Sequence, residues 1–189
     1  LKCKGATSTV MGSMLFMLIR DVRLGPNQAV RLALINRKLQ AFYEARPGWY
    51  RLPKIKLSNL EGGTGWSELS GPAFKAANTK ATSLFFVELA TEYFSRGTDL
   101  DNNVTAIATN LHNMYGILDA AGMFLTDDER LRFDNAVVGF GVAMQGLREW
   151  GRSRSLGVWQ VRPKLHKAMH LPLMSTMINP RCVSFYINE

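Results

Sequence analysis

The spacing of apolar residues along the chain is the feature that most constrains its fold. After "TDDE" (126–129), apolar residues recur at intervals of three and four, as on one face of a helix; they are Phe133, Val137, Phe140, Met144 and Leu147. Thr126 and Glu129 stand at the spacing of a capping box, in which each side chain bonds the other residue's backbone N–H. The pattern therefore predicts a helix that begins just after Thr126 and buries this face.

The same spacing recurs in other stretches and predicts further helices. One covers Ala6–Arg20, the next begins at Pro26 and ends before Pro47, a third runs from Phe74 to Gly97, and a fourth begins near Asp101 and ends at Gly122. Pro163 can open a short helix that Pro172 ends or kinks, because proline lacks the N–H of a helix interior. "CVSFYI" (Cys182–Ile187) has the composition of a strand.

These elements predict a mainly α fold. We expect an irregular helical bundle of about six helices, with a long loop at 46–72 and a short C-terminal strand. Three glycines in the helix after Thr126 (Gly139, Gly141 and Gly146) indicate close approach of a neighbouring helix, since glycine otherwise weakens a helix. We expect one helical domain over residues 1–189, and the absence of a starting methionine suggests an excerpt of a longer chain.

The composition excludes several classes of protein. With 47% hydrophobic and 20% charged residues, the chain is not of the disordered type. The apolar run Val10–Ile19 is about half as long as a membrane-spanning helix needs, so we expect no transmembrane segment. Two cysteines, Cys3 and Cys182, do not form a disulfide framework.

The net charge of +8 is distributed unevenly. Residues 1–60 hold eleven Lys and Arg but two acidic residues, whereas residues 61–145 hold five Lys and Arg and eleven acidic residues; the remaining C-terminal stretch is again basic. Two interpretations remain open. The basic ends attract an anionic partner, or they close on the acidic middle of the chain itself.

Two stretches interleave basic and aromatic residues, "RPGWYRLPKIK" and "REWGRSRSLGVWQVRPKLHK". Cations neutralise phosphates and exposed rings stack on unpaired bases, so these stretches are candidates for nucleic-acid binding. The alternatives are buried tryptophans with solvated cations, or a protein interface anchored by Arg and Trp. The candidate contact residues are Arg46, Trp49, Tyr50, Arg51, Lys54, Lys56, Arg152, Arg154, Trp159, Arg162, Lys164 and Lys167.

Other chemistry has less support in the sequence. His166 and His170 lie four residues apart and could present two nitrogens to a metal, but the only other histidine is His112. We therefore favour packing histidines, and we expect no cofactor. "EGGTGW" lacks the Lys-Ser/Thr of a phosphate-binding loop, and no serine or cysteine stands in a recognised nucleophile motif.

The segment "KLHKAMHLPLMSTMINPRCVSFYINE" resembles the C-terminal region of CACTA (En/Spm)-type transposases and of related uncharacterised multi-copy protist proteins. The pieces that match are a Lys-Ala segment (Lys2–Ala6 or Lys75–Ala77), then Pro163–His166 with His170–Leu171, and finally Glu189. The resemblance implies that Glu189 corresponds to the last carboxylate of a two-metal catalytic site. The preceding strand-borne aspartates have no counterpart here, so we expect this fragment not to be catalytic.

Two functional hypotheses follow. The first is a non-catalytic basic helical domain that binds nucleic acid, which would place the protein in the nucleus if it is transposase-like. The second is a non-catalytic accessory subunit of a large protein assembly, such as an algal membrane or photosynthetic complex, which would place it in an organelle. The partner is accordingly nucleic acid or a larger protein assembly.

Overall fold

The computed structural model describes residues 6–60, 67–71, 74, 80–161 and 169–183. This part of the chain is mainly helical, as the sequence predicts, and no strand occurs in it. Short 3-10 turns lie at Val22–Leu24 and Leu57–Asn59. The α-helices of these residues are α1 (Ala6–Arg20), α2 (Gln28–Glu44), α3 (Ser83–Tyr93), α4 (Asp99–Ala120), α5 (Asp127–Ser153), α6 (Leu171–Ser175) and α7 (Pro180–Val183).

Helix α1 lies at the centre of the hydrophobic core. Its apolar residues Met11, Met14 and Leu15 are completely buried, and so are several small polar residues on its other faces, among them Ser13. A helix that is buried all round contacts neighbours on several sides, and α1 contacts α2, α3 and α4. The N-terminal helix therefore organises the core around it.

Helices α4 and α5 form the most extensive helix pair. The predicted capping box begins α5, with the Glu129 N–H donating to Thr126 Oγ1 at 3.3 Å and the Thr126 N–H donating to Glu129 Oε2 at 2.8 Å. The bond from the Thr126 N–H, together with one from the Thr126 hydroxyl to the same Oε2 atom, lowers the pKa of the Glu129 carboxyl. A Cβ atom at Gly139 or Gly146 would lie 2.7 or 2.8 Å from an asparagine side chain of α4. The predicted close approach of a neighbouring helix is confirmed at these two glycines.

The C-terminal segment corrects the strand prediction. Cys182 and Val183 belong to α7 rather than to a strand, while the other residues of the predicted strand lie outside the described residues. Pro172 lies in the first turn of α6, a position where its missing N–H costs no hydrogen bond. Most of the predicted helix between Pro163 and Pro172 lies outside the described residues. Buried Asn179 fixes this segment, because its Nδ2 donates to the carbonyl oxygens of Leu118 and Gly122 at 3.1 and 2.8 Å, just at the end of α4.

The predicted loop at 46–72 contains no α-helix in its described residues. It is nevertheless anchored, because Leu52, Ile55, Leu60 and Leu69 are buried in the core. Phe74, where the sequence places the start of the third helix, is buried without being helical. Residues 75–79 lie outside the described residues, residues 80–81 are helical, and α3 runs from Ser83.

The membrane prediction also agrees with the described helices. None of them combines the length and the apolar character that crossing a bilayer requires.

Candidate nucleic-acid interface

The first basic-aromatic stretch forms a continuous feature that we call the strap, residues Arg46–Lys56. Two aliphatic side chains, Leu52 and Ile55, anchor it in the core, with exposed fractions of 5% and 1%. The residues between and beside them point to solvent. Because Leu52 and Ile55 are held in the core, the outward side chains of the strap keep fixed positions relative to the fold.

Side chains of α2 satisfy the backbone polar groups of the strap. Asn36 accepts from the Ile55 N–H at 2.8 Å and donates to the Ile55 carbonyl oxygen at 2.9 Å. The buried Tyr43 hydroxyl accepts from the Leu52 N–H at 2.8 Å, and burial raises the pKa of Tyr43. Backbone groups held in this way cannot rearrange without leaving buried partners unpaired.

Three cations point outward from the anchored strap: Arg51, Lys54 and Lys56. None of them forms an ion pair with another residue in the part of the chain that the structure describes. Among the described residues, these three charges are therefore uncompensated by an ion pair, and their contact with an anionic ligand stays a prediction.

The aromatic residues of the strap are partly exposed. Trp49 and Tyr50 retain 41% and 49% of their accessible surface. The Trp49 ring contacts the buried Phe42 ring edge to face, with ring centroids 5.7 Å apart. One side of the indole is thus fixed by the core, and the remaining surface is open to solvent beside Arg51.

Arg46, at the start of the strap, differs from Arg51, Lys54 and Lys56 because it forms an ion pair. Its Nη2 lies 2.6 Å from Glu88 Oε1 of α3, and its guanidinium carbon lies 4.1 Å from the centre of the Phe42 ring. Its charge is thus compensated within the chain. We assign Arg46 to the positioning of Trp49 rather than to ligand contact.

Other cations follow the same pattern as Arg46. Lys38 pairs with Glu92 at 2.7 Å, and this hydrogen bond raises the pKa of Lys38. Lys80 pairs with Asp119 at 2.5 Å. Lys38 and Arg46 therefore close on the acidic middle of the chain. The three strap cations have no such ion-pair partner among the described residues.

The second basic-aromatic stretch differs at its tryptophan. Trp159 is completely buried, and its backbone N–H donates to Ser13 Oγ of α1 at 2.9 Å. Its φ of 55° lies in the left-handed region, which bulky residues adopt only where their surroundings require it. The prediction that this ring faces outward is wrong. The indole is packed in the core, where the segment is hydrogen-bonded to α1.

The cations near this tryptophan lie at the end of α5. Arg152 is exposed, whereas the guanidinium of Arg154 lies 4.6 Å from the Trp150 ring centre. Arg154 also donates to Ser153 Oγ at 3.0 Å, so it folds back on the helix end. The remaining candidates of this stretch lie outside the described residues; they are Arg162, Lys164 and Lys167.

The metal hypothesis concerns residues that are only partly described. His170 is exposed, while His166 and Glu189 lie outside the described residues. Within the described ranges, no three His, Cys, Asp or Glu side chains lie close enough together to hold a metal ion.

The residues that hold the strap were not predicted from the sequence. Asn36 and Tyr43 lie on α2, outside the two basic-aromatic stretches. Asn36 is a polar residue beside the buried Ile35 and at helical spacing from buried Leu32 and Leu39. A polar residue at the edge of an apolar face signals a buried hydrogen-bond partner, and this was the only available sequence signal.

A second polar feature lies between α4 and α5, where a cavity of about 510 Å³ is lined by Asn110, Asn113, Glu129 and Arg132, among others. His112 also lines it, and its Nδ1 lies 2.9 Å from Ser83 Oγ of α3. Burial lowers the pKa of His112. Because Ser83 is itself buried, this contact joins α3 to α4 and does not expose a nucleophile.

No protein-family model, no curated protein and no solved structure matches this chain.

Proposed function

We propose that this chain is a non-catalytic helical domain that resembles transposase C-terminal regions and binds nucleic acid through the strap. One observation carries the proposal: Arg51, Lys54 and Lys56 are exposed and form no ion pair among the described residues, beside two partly exposed aromatic rings. Cations bind the phosphates, and the rings stack on bases.

The rigidity of the strap supports the same function. A flexible basic segment loses conformational entropy when it binds, which weakens the complex. Here the hydrogen bonds of Asn36 and Tyr43 already fix the backbone between the cations. The strap is therefore prepared for a ligand before it binds.

A neutralised strap tests the proposal. In the variant Arg51→Gln, Lys54→Gln, Lys56→Gln, three phosphate contacts are lost, so the affinity for a labelled single-stranded oligonucleotide should fall at least tenfold at low salt. Each phosphate contact contributes about −0.7 to the slope of log affinity against log salt concentration, so the slope should become less steep by about two. Fluorescence anisotropy over a series of salt concentrations measures both quantities.

A matched control separates the strap from net charge. The variant Arg96→Gln, Arg130→Gln, Arg132→Gln removes the same number of positive charges from residues that pair with aspartates. It should retain most of the affinity. Equal losses in the two variants would show that binding follows overall charge, and the strap would not be the interface.

A further inference from the structure

The outward face of α5 carries apolar residues that the fold does not cover. Leu131, Val138 and Val142 are 60%, 60% and 67% exposed. Intervals of seven and four residues place them on one side of the helix, and we call them the outer stripe. The opposite side of α5 is buried against α4. Exposed apolar side chains grouped in this way are typical of an interaction surface.

The charges of α5 are separated along its length. Its first two turns hold Asp127, Asp128, Glu129 and Asp134 together with Arg130 and Arg132, which pair with Asp127 and Asp128, so this end is net negative. The other end is net positive, with Arg148, Arg152 and the C-cap residue Arg154. The Nε of Arg148 is buried and has no hydrogen-bond partner in the described structure. The one acidic residue near this end, Glu149, accepts a hydrogen bond from Gln145 at 3.2 Å.

From these features we propose that the outer stripe binds a second copy of this chain, with the two α5 helices antiparallel. Such an arrangement has twofold symmetry, so each residue meets its counterpart from the other end of the partner helix. Val138 and Val142 lie at equal distances on either side of Phe140, so a crossing centred there brings these valines together. The acidic first turn of each helix then lies against the basic end of the other.

A groove beside the stripe receives the third apolar residue. This groove has a volume of about 450 Å³ and is lined by Val142, Glu149, Val161 and Met169, among others. Leu131 lies nine residues before Phe140, and Glu149 lies nine residues after it. In the antiparallel pair, Leu131 of each chain therefore lies over the groove of its partner. The interface is independent of the strap and of nucleic acid.

The first test is the oligomeric state of nucleic-acid-free protein. We expect sedimentation equilibrium to detect a reversible dimer, because a single helix pair buries little area. Val142→Glu should make the protein monomeric without unfolding it, since this side chain is exposed. Val22→Glu changes a residue of similar exposure, 76%, outside α5, and should leave the dimer intact. A wild-type chain that stays monomeric, with its stripe open to some other partner, overturns the proposal, as does a dimer that survives Val142→Glu.

A mixing experiment tests the antiparallel arrangement. Asp127→Lys reverses a charge at the acidic end of α5, and Arg152→Glu reverses one at its basic end. Each variant alone places like charges in contact, so its dimer should be about tenfold weaker, as expected for two exposed pairs. An equimolar mixture should recover dimers, because the reversed end of one variant then meets the reversed end of the other and opposite charges face each other again. Absence of recovery overturns the antiparallel pairing, and circular dichroism verifies that both variants are folded.

Discussion

The two basic-aromatic stretches are alike in sequence and opposite in structure. "RPGWYR" places Trp49 at the surface, whereas "GVWQVR" places Trp159 in the core. In the strap, Leu52 and Ile55 serve as the buried anchors and leave the tryptophan outside. In the second stretch the tryptophan is itself the anchor.

The difference shows that composition does not decide which side of a segment faces water. The nearest apolar residues and the available hydrogen-bond partners decide it. Trp159 is drawn inward where Ser13 of α1 binds its backbone, and Trp49 stays outward because Asn36 and Tyr43 bind the strap on the side of its aliphatic residues. Interleaved Arg and Trp therefore predict an interface only together with separate anchors.

The largest expected effect is a difference in the free energy of unfolding between variants of the two tryptophans. Trp159→Ala should lower the free energy of unfolding by about 3–5 kcal/mol, because it empties a fully buried site. Trp49→Ala should lower it by about 1 kcal/mol or less, since its ring is partly exposed. Urea denaturation followed by circular dichroism measures both values. Similar losses would mean that the two rings have equivalent surroundings, contrary to the comparison.

The next effect concerns the contribution of Trp49 to the affinity for nucleic acid. Trp49→Ala should weaken the binding of a single-stranded oligonucleotide by about 1–3 kcal/mol, the contribution of one stacked base. Trp49→Phe keeps an aromatic face and should retain most of the affinity. If the alanine variant binds as tightly as wild type in anisotropy titrations, the ring does not stack on a base and only the cations remain as contacts.

A smaller effect tests what fixes the strap. Asn36→Ala removes both hydrogen bonds to Ile55 and should cost about 1–2 kcal/mol of stability. The Ile55 amide should then exchange its hydrogen faster, whereas Asn59→Ala, which removes the acceptor of the Lys56 N–H, should accelerate exchange at Lys56. Hydrogen–deuterium exchange resolved by residue distinguishes the two sites. Unchanged exchange at Ile55 would mean that its burial, rather than Asn36, holds the strap.

The smallest effect concerns a residue that belongs to neither region. Burial lowers the pKa of His112 below its ordinary value of 6.5. The unfolded chain therefore takes up a proton first as the pH falls through 6.5, and stability decreases until the folded-state pKa is passed. His112→Gln should reduce this decrease in thermal melts across the same pH range. The same pH dependence in both proteins would assign it to other groups.

Local signals in the sequence predicted the helices well. The Thr126–Glu129 pair and the spacing of Phe133 to Leu147 define α5, because capping and amphipathicity involve residues within a few turns. The sequence predicts that α4 begins near Asp101, whereas Thr98 caps it, with its Oγ1 accepting from the Asp101 N–H at 3.2 Å. Both capping residues carry the required oxygen, so the sequence alone did not distinguish them.

The candidate site was predictable only in part. The outward cations of the strap follow from its sequence, but the pairing of Arg46 with Glu88 joins residues 42 positions apart. The burial of Trp159 depends on a contact 146 positions away. Contacts at such separations form only when the whole core is assembled. The local spacing of residues in either segment therefore does not predict them.

The hydrogen bonds between α2 and the strap have a consequence for how this molecule can change over generations. Asn36 and Tyr43 form hydrogen bonds with the main chain of the strap. These bonds do not depend on which side chains the strap carries. Positions 51, 54 and 56 can therefore be exchanged one at a time while the scaffold beneath stays intact. A lineage carrying this fold could acquire a new ligand preference by a few surface replacements, without first losing and rebuilding its architecture.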